Sequence, residues 1–389
     1  MNADTARSPV VGAAGVGDNV LLTGSTGFLG AEILKRILRG HPRTHVSLVV
    51  RSTFRETANE RIERQLVRSF GQEEASRYRD RVEVVEGDIS HRGLGIDLER
   101  DAKLLPRIDH VIHCAAAVQF GTTLEVARRD NTEGTRNVLT FAERLAHLGR
   151  LDYIGTAYVA GKRSGRIMED ELDVGQEFSN SYEQTKMESE KLVRAFAERF
   201  PTAIYRPSII VGNSKTGEAG SFQGFYQVLQ FYRQIYGKGI VVMLPADPNT
   251  IVDIVPIDYV VDAIFSLMHS TKSIGGCFHV ASGPGSTCTL DELMQITAKF
   301  THIKPPPYIS REAWFYVARP LLKAFMFWDK RREAVEKAER DYMPHVWSKL
   351  IFDKTNTNAV LNGTGIAPPH PTSYFVKLLE YQAKTLKLG

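Results

Sequence analysis

Cysteine is scarce in this chain: there are three in 389 residues, Cys114, Cys277 and Cys288. Their separations match no zinc-site spacing and build no disulfide framework, so no metal is expected and a reducing, cytoplasmic setting is. Long apolar runs are missing as well. None reaches the ~20 residues that a membrane-spanning helix needs. Like charges never follow one another five or six at a time, and a formal net charge of +4 leaves little footprint for nucleic acid. That mild basic excess reads either as plain solubility or as attraction to anionic cofactors and acyl carriers. Residues 1–18 carry Asp4 and lack the charged start and apolar centre of a secretion signal, so they read as a disordered tail. Internal repeats and low-complexity tracts are absent from the sequence.

What is present is enough to build a full core: 43% of residues are hydrophobic and 24% charged, the balance of a soluble globular protein. The length exceeds one modest core and suits a large α/β domain with an appended lobe. From residue 19 to about 212, strand-like apolar runs (20–23, 46–50, 82–86, 110–113, 151–154, 203–205) alternate with helical patterns (31–39, 58–69, 124–129, 135–148, 185–199). Such alternation is the signature of a doubly wound parallel sheet, a Rossmann fold. After Gly212 it fades into a glycine-rich loop, 217–224, and an aromatic helical stretch, 225–236. A β-branched run at 251–257 and a helical pattern at 259–269 then return the chain to the main body. The expected division is a nucleotide-binding domain over 19–270, interrupted by substrate-lobe insertions after 212, and a mainly helical substrate lobe over 271–389.

Three glycines, Gly24, Gly27 and Gly30, follow the first apolar run and open the first amphipathic helix. The first permits a tight turn, the second lets backbone approach a pyrophosphate, and the third allows close helix–strand packing, with the helix N-terminus stabilising the phosphate charge. About twenty residues on, where an NAD site usually has an acid for the ribose hydroxyls, stands Arg51. A guanidinium there suits a 2′-phosphate, so NADPH is expected, with Arg55 as a weaker candidate for the same role. Asp88, followed by Ile89, either accepts a hydrogen bond from adenine or caps a turn. Ala115, Ala116 and Ala117 are too small to obstruct a flat cofactor, whereas His113 and Cys114 read as packing residues.

Tyr182 and Lys186 lie four residues apart, on one helix face. A phenol beside an ammonium suits proton transfer, and the ammonium can also bond a nicotinamide ribose. Thr156, just past the fifth apolar run, offers a hydroxyl for a substrate oxygen beside Tyr182. Asn131 reads first as a helix cap and second as support for the cofactor side. Glycines, threonine, tyrosine and lysine in this order define one site.

The stretches Thr23–Gly30, Val111–Phe120, Asn131–Asn137, Gly155–Gly161, Tyr182–Lys186 and Tyr205–Ile209 together resemble the extended short-chain dehydrogenase/reductase family. The run Thr156–Gly161 and the run Val252–Val260 narrow the resemblance to its fatty acyl-CoA reductase branch, which is similar to the thioester-reductase domains of carboxylic acid reductases. The likeness covers residues 19–270, with a loose match of Tyr342–Pro344 and Phe352–Asp353 to the tail domain of those reductases. It implies NADPH held by Gly24, Ser25, Thr26, Gly27, Phe28, Leu29, Gly30, Arg51, Asp88, Ile89, Ala115, Ala116, Ala117, Asn131, Tyr182, Lys186, Pro207 and Ile209. It also implies catalysis by Thr156, Tyr182 and Lys186 on an acyl thioester carried by CoA or a carrier protein, giving an aldehyde or an alcohol. A secondary-alcohol or hydroxysteroid dehydrogenase, and a sugar-nucleotide epimerase or dehydratase, share most of these motifs.

The segment 314–328 is dense in large apolar side chains but is broken by Arg319, Pro320 and Lys323. It reads as an acyl-channel wall, a peripheral membrane contact or a buried core helix. Oligomeric state leaves no mark in the sequence.

Overall fold

The computed structural model describes residues 14–119, 121–220, 243–321 and 346–386. The helical stretch at 225–236, the match at Tyr342–Pro344, Phe120, the end of the 314–328 segment and most of the tail expected over 1–18 lie outside the described residues.

Seven strands form one parallel sheet: β1 (Asn19–Thr23), β2 (His45–Val50), β3 (Val82–Glu86), β4 (His110–His113), β5 (Arg150–Ile154), β6 (Thr202–Pro207) and β7 (Cys277–Val280). Their order across the sheet is β7-β6-β5-β4-β1-β2-β3. Every neighbouring pair is parallel, with Val20 opposite both Val46 and His110. The inner strands read as continuous apolar runs because helices cover both faces; Val20, Leu21 and Leu22 are all fully buried. The doubly wound Rossmann fold expected from the alternation is therefore the fold observed. Between β1 and β4 the direction of winding reverses, and at the carboxyl ends of those two strands such sheets bind ligands.

Helix α1 (Phe28–Gly40) buries Leu29, Ile33, Leu34, Ile37 and Leu38, a stripe at helical spacing that faces the sheet. Helix α2 (Ala58–Ser76) starts at a capping box in which Thr57 and Glu60 satisfy each other's backbone N–H, and it kinks at Gly71, where φ is 76°. Helix α3 (Gly134–Glu143) follows a π-helical turn over Arg128–Glu133, and helix α4 (Ser181–Ala197) is capped by Asn180.

The second half of the chain returns repeatedly to this body. Strand Ile254–Pro256 pairs in parallel with Ile209–Val211, and helix α5 (Ile257–Met268) packs against α1. Strand β7 then adds to the sheet edge beyond residue 270, where the sequence reading ended the nucleotide-binding domain. Strand Leu350–Phe352 pairs with Gly165–Ile167. A smaller core of Val211, Ile254, Leu293, Tyr374, Phe375 and Leu378 gathers the C-terminal helices Leu290–Thr301 and Phe375–Thr385. Among the described residues no helix is long and apolar enough to cross a membrane.

Candidate active site

The chain turns sharply after β1. Gly24 has φ +77°, and a Cβ there would lie 2.6 Å from the Ala115 amide nitrogen; a Cβ on Gly30 would lie 2.1 Å from the Gly24 carbonyl oxygen. Only glycine fits either position: at Gly24 this packs the loops after β1 and β4 together, and at Gly30 it lets α1 close on its own turn. A Cβ on Gly27 would lie 3.2 Å from the Gly24 carbonyl oxygen, a milder crowding, and Gly27 is the N-cap of α1, with no side-chain cap and no acidic residue in the first turn. The first amides of α1 are thus left for an outside anion, which suits a pyrophosphate.

Helix α2 braces this loop. Gln65 donates to the Ser25 carbonyl at 2.6 Å, Arg61 donates to Thr26 Oγ1 at 3.2 Å, and a second Arg61 nitrogen donates to the Arg51 carbonyl. Arg51 is 68% exposed and lies 3.7 Å from Asp88 Oδ2. Burial alone would raise the Asp88 carboxyl, but the Ser90 amide and hydroxyl and the Arg51 charge hold it below its ordinary value. Asp88 therefore does cap a turn through Ser90, with its second oxygen toward Arg51. Ile89 packs on Gly134, and its carbonyl accepts from Asn137 at 2.8 Å. Arg55 instead stacks its guanidinium on the exposed Phe54 ring.

After β4, His113 bridges Thr23 (2.7 Å) and Thr135 (3.1 Å). Burial, reinforced by Lys186, pushes its pKa down to about 3, and burial pushes Cys114 up to about 12. A neutral imidazole wedged between two hydroxyls is a packing element, as expected. Asn131 does not cap a helix. It sits in the π-helical turn, accepts the Ala117 amide at 2.7 Å, and donates to the Ala117 carbonyl (3.1 Å) and Thr185 Oγ1 (3.0 Å). Its side chain ties the Ala115–Ala117 loop to α4, because the π turn carries it inward past the point where an N-cap would stand.

Thr156, directly after β5, accepts the Tyr158 amide at 3.2 Å and is hydrogen-bonded to the Tyr182 hydroxyl. Burial pushes Tyr182 up to about 12 while that bond opposes the rise. Lys186 is buried one turn along α4, donates to the Ile154 carbonyl at 2.9 Å and lies 4.4 Å from the centre of the Tyr153 ring. Burial brings it down to about 8, against the pull of Cys114 and Glu190. Pro207 and Ile209 flank the end of β6, pairing with Val280 and Ile254. The carboxyl ends of β6, β5, β4 and β1 thus place Pro207, Thr156, Ala115 and Gly24 along one edge.

The sequence reading missed Arg61, Gln65 and Glu183. The one signal for Arg61 is the Thr57–Glu60 capping box, which fixes the start of α2 and puts Arg61 in its first turns without showing where they dock.

Of the 314–328 segment, the described part buries Trp314 and exposes Phe315, Tyr316, Val317 and Leu321, Tyr316 to 82%. That part is an apolar surface, and only Trp314 belongs to the core.

A seven-stranded doubly wound sheet, a glycine turn at its switch point and a Tyr-x-x-x-Lys helix beside a threonine define an extended short-chain dehydrogenase/reductase. Within that class the chain belongs to the Male sterility protein family of NAD-binding domains, whose profile matches residues 22–264. It is similar to fatty acyl-CoA reductase 1 of Arabidopsis thaliana, 25% identical over 74% of this chain and 71% of that protein. It is also similar to fatty acyl-CoA reductase 1 of Gallus gallus, 30% identical over 63% of this chain and 53% of that protein. The chain spans from about half to 71% of the length of these curated relatives, and 59% of a Drosophila melanogaster one. Among solved structures, the terminal R domain of the myxalamid PKS-NRPS pathway matches at 27% identity and TM-score 0.80, over 98% of this chain and 93% of that one. UDP-glucuronic acid 4-epimerase from Bacillus cereus, in complex with NAD, shares the fold at TM-score 0.64 and 18% identity, over 95% of this chain and 98% of that one.

Proposed function

We propose that this chain reduces a fatty acyl thioester, borne by CoA or an acyl-carrier protein, with NADPH. The observation that carries the reading is the hydrogen-bonded Thr156–Tyr182 pair at the carboxyl edge of the sheet, with Lys186 one turn behind it. The family and its fatty acyl-CoA reductase and R-domain relatives support the substrate class.

The residues fit a dinucleotide. The open amides at the start of α1 would hold the pyrophosphate, Arg51 and Arg61 the 2′-phosphate, Asp88 and Ile89 the adenine side, and the spare hydrogens of Lys186 the nicotinamide ribose. When bound, NADPH supplies the hydride. Thr156 Oγ1 accepts the Tyr158 amide, and its one hydrogen bond to Tyr182 is exchanged when a thioester carbonyl oxygen seats between the two hydroxyls, so that both then donate to that oxygen. As that oxygen becomes negative the donors bind it more tightly, which lowers the barrier. Tyr182, a phenol at neutral pH, gives it a proton. The resulting hemithioacetal expels thiol, and the aldehyde is the first product.

Incubation with NADPH and acyl-CoA of graded chain length is expected to consume NADPH and release free thiol, with the product's oxidation level read by mass. Tyr182→Phe is expected to lower kcat by ~10²–10⁴-fold while leaving NADPH binding intact. Arg51→Ala is expected to raise KM for NADPH and leave KM for NADH unchanged. A chain that consumes no NADPH with any acyl-CoA or acyl-carrier substrate overturns the proposal.

A further inference from the structure

Beside Tyr182, the first turn of α4 carries a carboxylate that the chemistry above does not use. The Asn180 side chain accepts the Glu183 amide at 2.9 Å. In return the Glu183 carboxylate accepts the Ser179 amide at 2.8 Å and the Asn180 side-chain amide at 3.2 Å. Reciprocal caps of this type also start α2, through Thr57 and Glu60, and the helix Leu290–Thr301, through Thr289 and Glu292. In both of those the glutamate is exposed to water. Glu183 is 1% exposed.

Taking a carboxylate out of water costs several kcal/mol unless its partners make up the loss, so a buried cap calls for a reason that an exposed one does not. The charged and titratable groups around Glu183 come from three places. Tyr182 adjoins it on α4, Tyr158 faces it from the Thr156 turn, and Lys162 faces it from the loop after Gly161. Lys162 is shared, lying 3.1 Å from Glu177. Glu183 is thus buried with two phenols near it and half a claim on one lysine. Burial pushes it up to about 7 against its hydrogen bonds, and its charge in turn adds to the rise at Tyr182.

We propose that Glu183 is a positioning residue of this site: it locks the turn of α4 that carries Tyr182, and its charge sets how readily that phenol releases its proton. The inference rests on Tyr182 being the proton donor. An ionised Glu183 opposes a second negative charge beside it, so Tyr182 keeps its proton, and the enzyme its activity, to higher pH.

Two measurements on the full chain test this, with Glu183→Gln and Glu183→Asp. In the first, kcat/KM is followed with an acyl-CoA substrate through and beyond the step that Lys186 makes near 8, where the remaining alkaline limb is that of Tyr182. Glu183→Gln is expected to move the alkaline limb to lower pH, and Glu183→Asp, which keeps the charge, to move it back. An alkaline limb that stays put in Glu183→Gln overturns the coupling. The second reads urea midpoints against pH and needs no turnover. The folded carboxyl titrates about 7 against an ordinary 4.5, so the unfolded chain holds fewer protons in that window and stability falls as pH rises through it. Glu183→Gln is expected to lose this slope, and a slope that persists overturns the buried-carboxylate basis. Should no thioester be reduced, the functional reading fails by itself and the urea slope alone decides for or against this inference.

Discussion

Lys186 donates to the Ile154 carbonyl from a position with almost no access to water, and an ammonium so placed loses most of its hydration. Its folded pKa, brought to about 8 from 10.5, implies that the charged form destabilises the fold by about 3 kcal/mol at neutral pH. The unfolded chain holds more protons between those two values, so stability rises with pH across that window. Lys186→Met is therefore expected to be more stable than the parent near pH 7 without cofactor, by up to ~3 kcal/mol, yet at least ~100-fold slower. Urea midpoints and kcat on the same preparations check both halves, and a variant less stable than the parent at neutral pH refutes the account. The lysine was legible from its spacing to Tyr182, as Thr156 was from its place after β5. Arg61 was not singled out, because an arginine on a helix that also carries Arg64 and Arg68 looks like a solvated face until the docking of α2 aims one of them at Thr26. Glu183 was hidden for a related reason: sequence shows a capping pattern, and only packing shows that this cap is dry.

Elements built on a continuous apolar run or a strong stripe were readable, as β1, β2, β4 and α1 show. Strand β7 was not, since Cys277–Val280 includes His279 and follows two glycines, so it carries neither alternation nor a long run. What makes it a strand is the open edge of β6. The π turn at Arg128–Glu133 was equally invisible, because one extra residue in a helix leaves no compositional trace. That turn carries the Asn131 side chain, whose hydrogen bonds join the loop after β4 to α4, the helix of Tyr182 and Lys186. Asn131→Ala leaves the Ala117 amide and Thr185 hydroxyl short of a partner at a buried position. It is expected to cost about 1–3 kcal/mol in urea unfolding and to raise KM for NADPH. An unchanged KM in a folded variant separates Asn131 from the cofactor side.

Across the whole molecule the two edges of the sheet are built differently. The carboxyl edge holds the glycine turn, Thr156 and Tyr182. The opposite edge holds a buried ionic network, where Arg150 meets Asp152 at 2.9 Å, the Tyr205 hydroxyl at 3.0 Å, Ser273 at 2.7 Å and the Met268 carbonyl at 3.0 Å. His110 reaches the same carboxylate at 2.6 Å and accepts the Gly17 amide at 3.1 Å. The network staples β4, β5 and β6 to the end of α5 and to the chain entering β1, which is how the second half is held to the first. Burial would raise Asp152, but Arg150 and His110 hold it at about 2. With its folded pKa below the unfolded one, its contribution is present above an ordinary 3.8 and is lost as pH falls toward 2. Arg150→Met strands that carboxylate and is expected to cost about 3–5 kcal/mol. Replacing both partners, Arg150→Met with Asp152→Leu, is expected to recover much of that loss, because no uncompensated charge remains. At temperatures where both variants stay folded, kcat should match the parent, since neither residue approaches the carboxyl edge. Thermal unfolding with kcat on the same samples checks this, and a double variant no more stable than Arg150→Met removes the stranded charge as the cause.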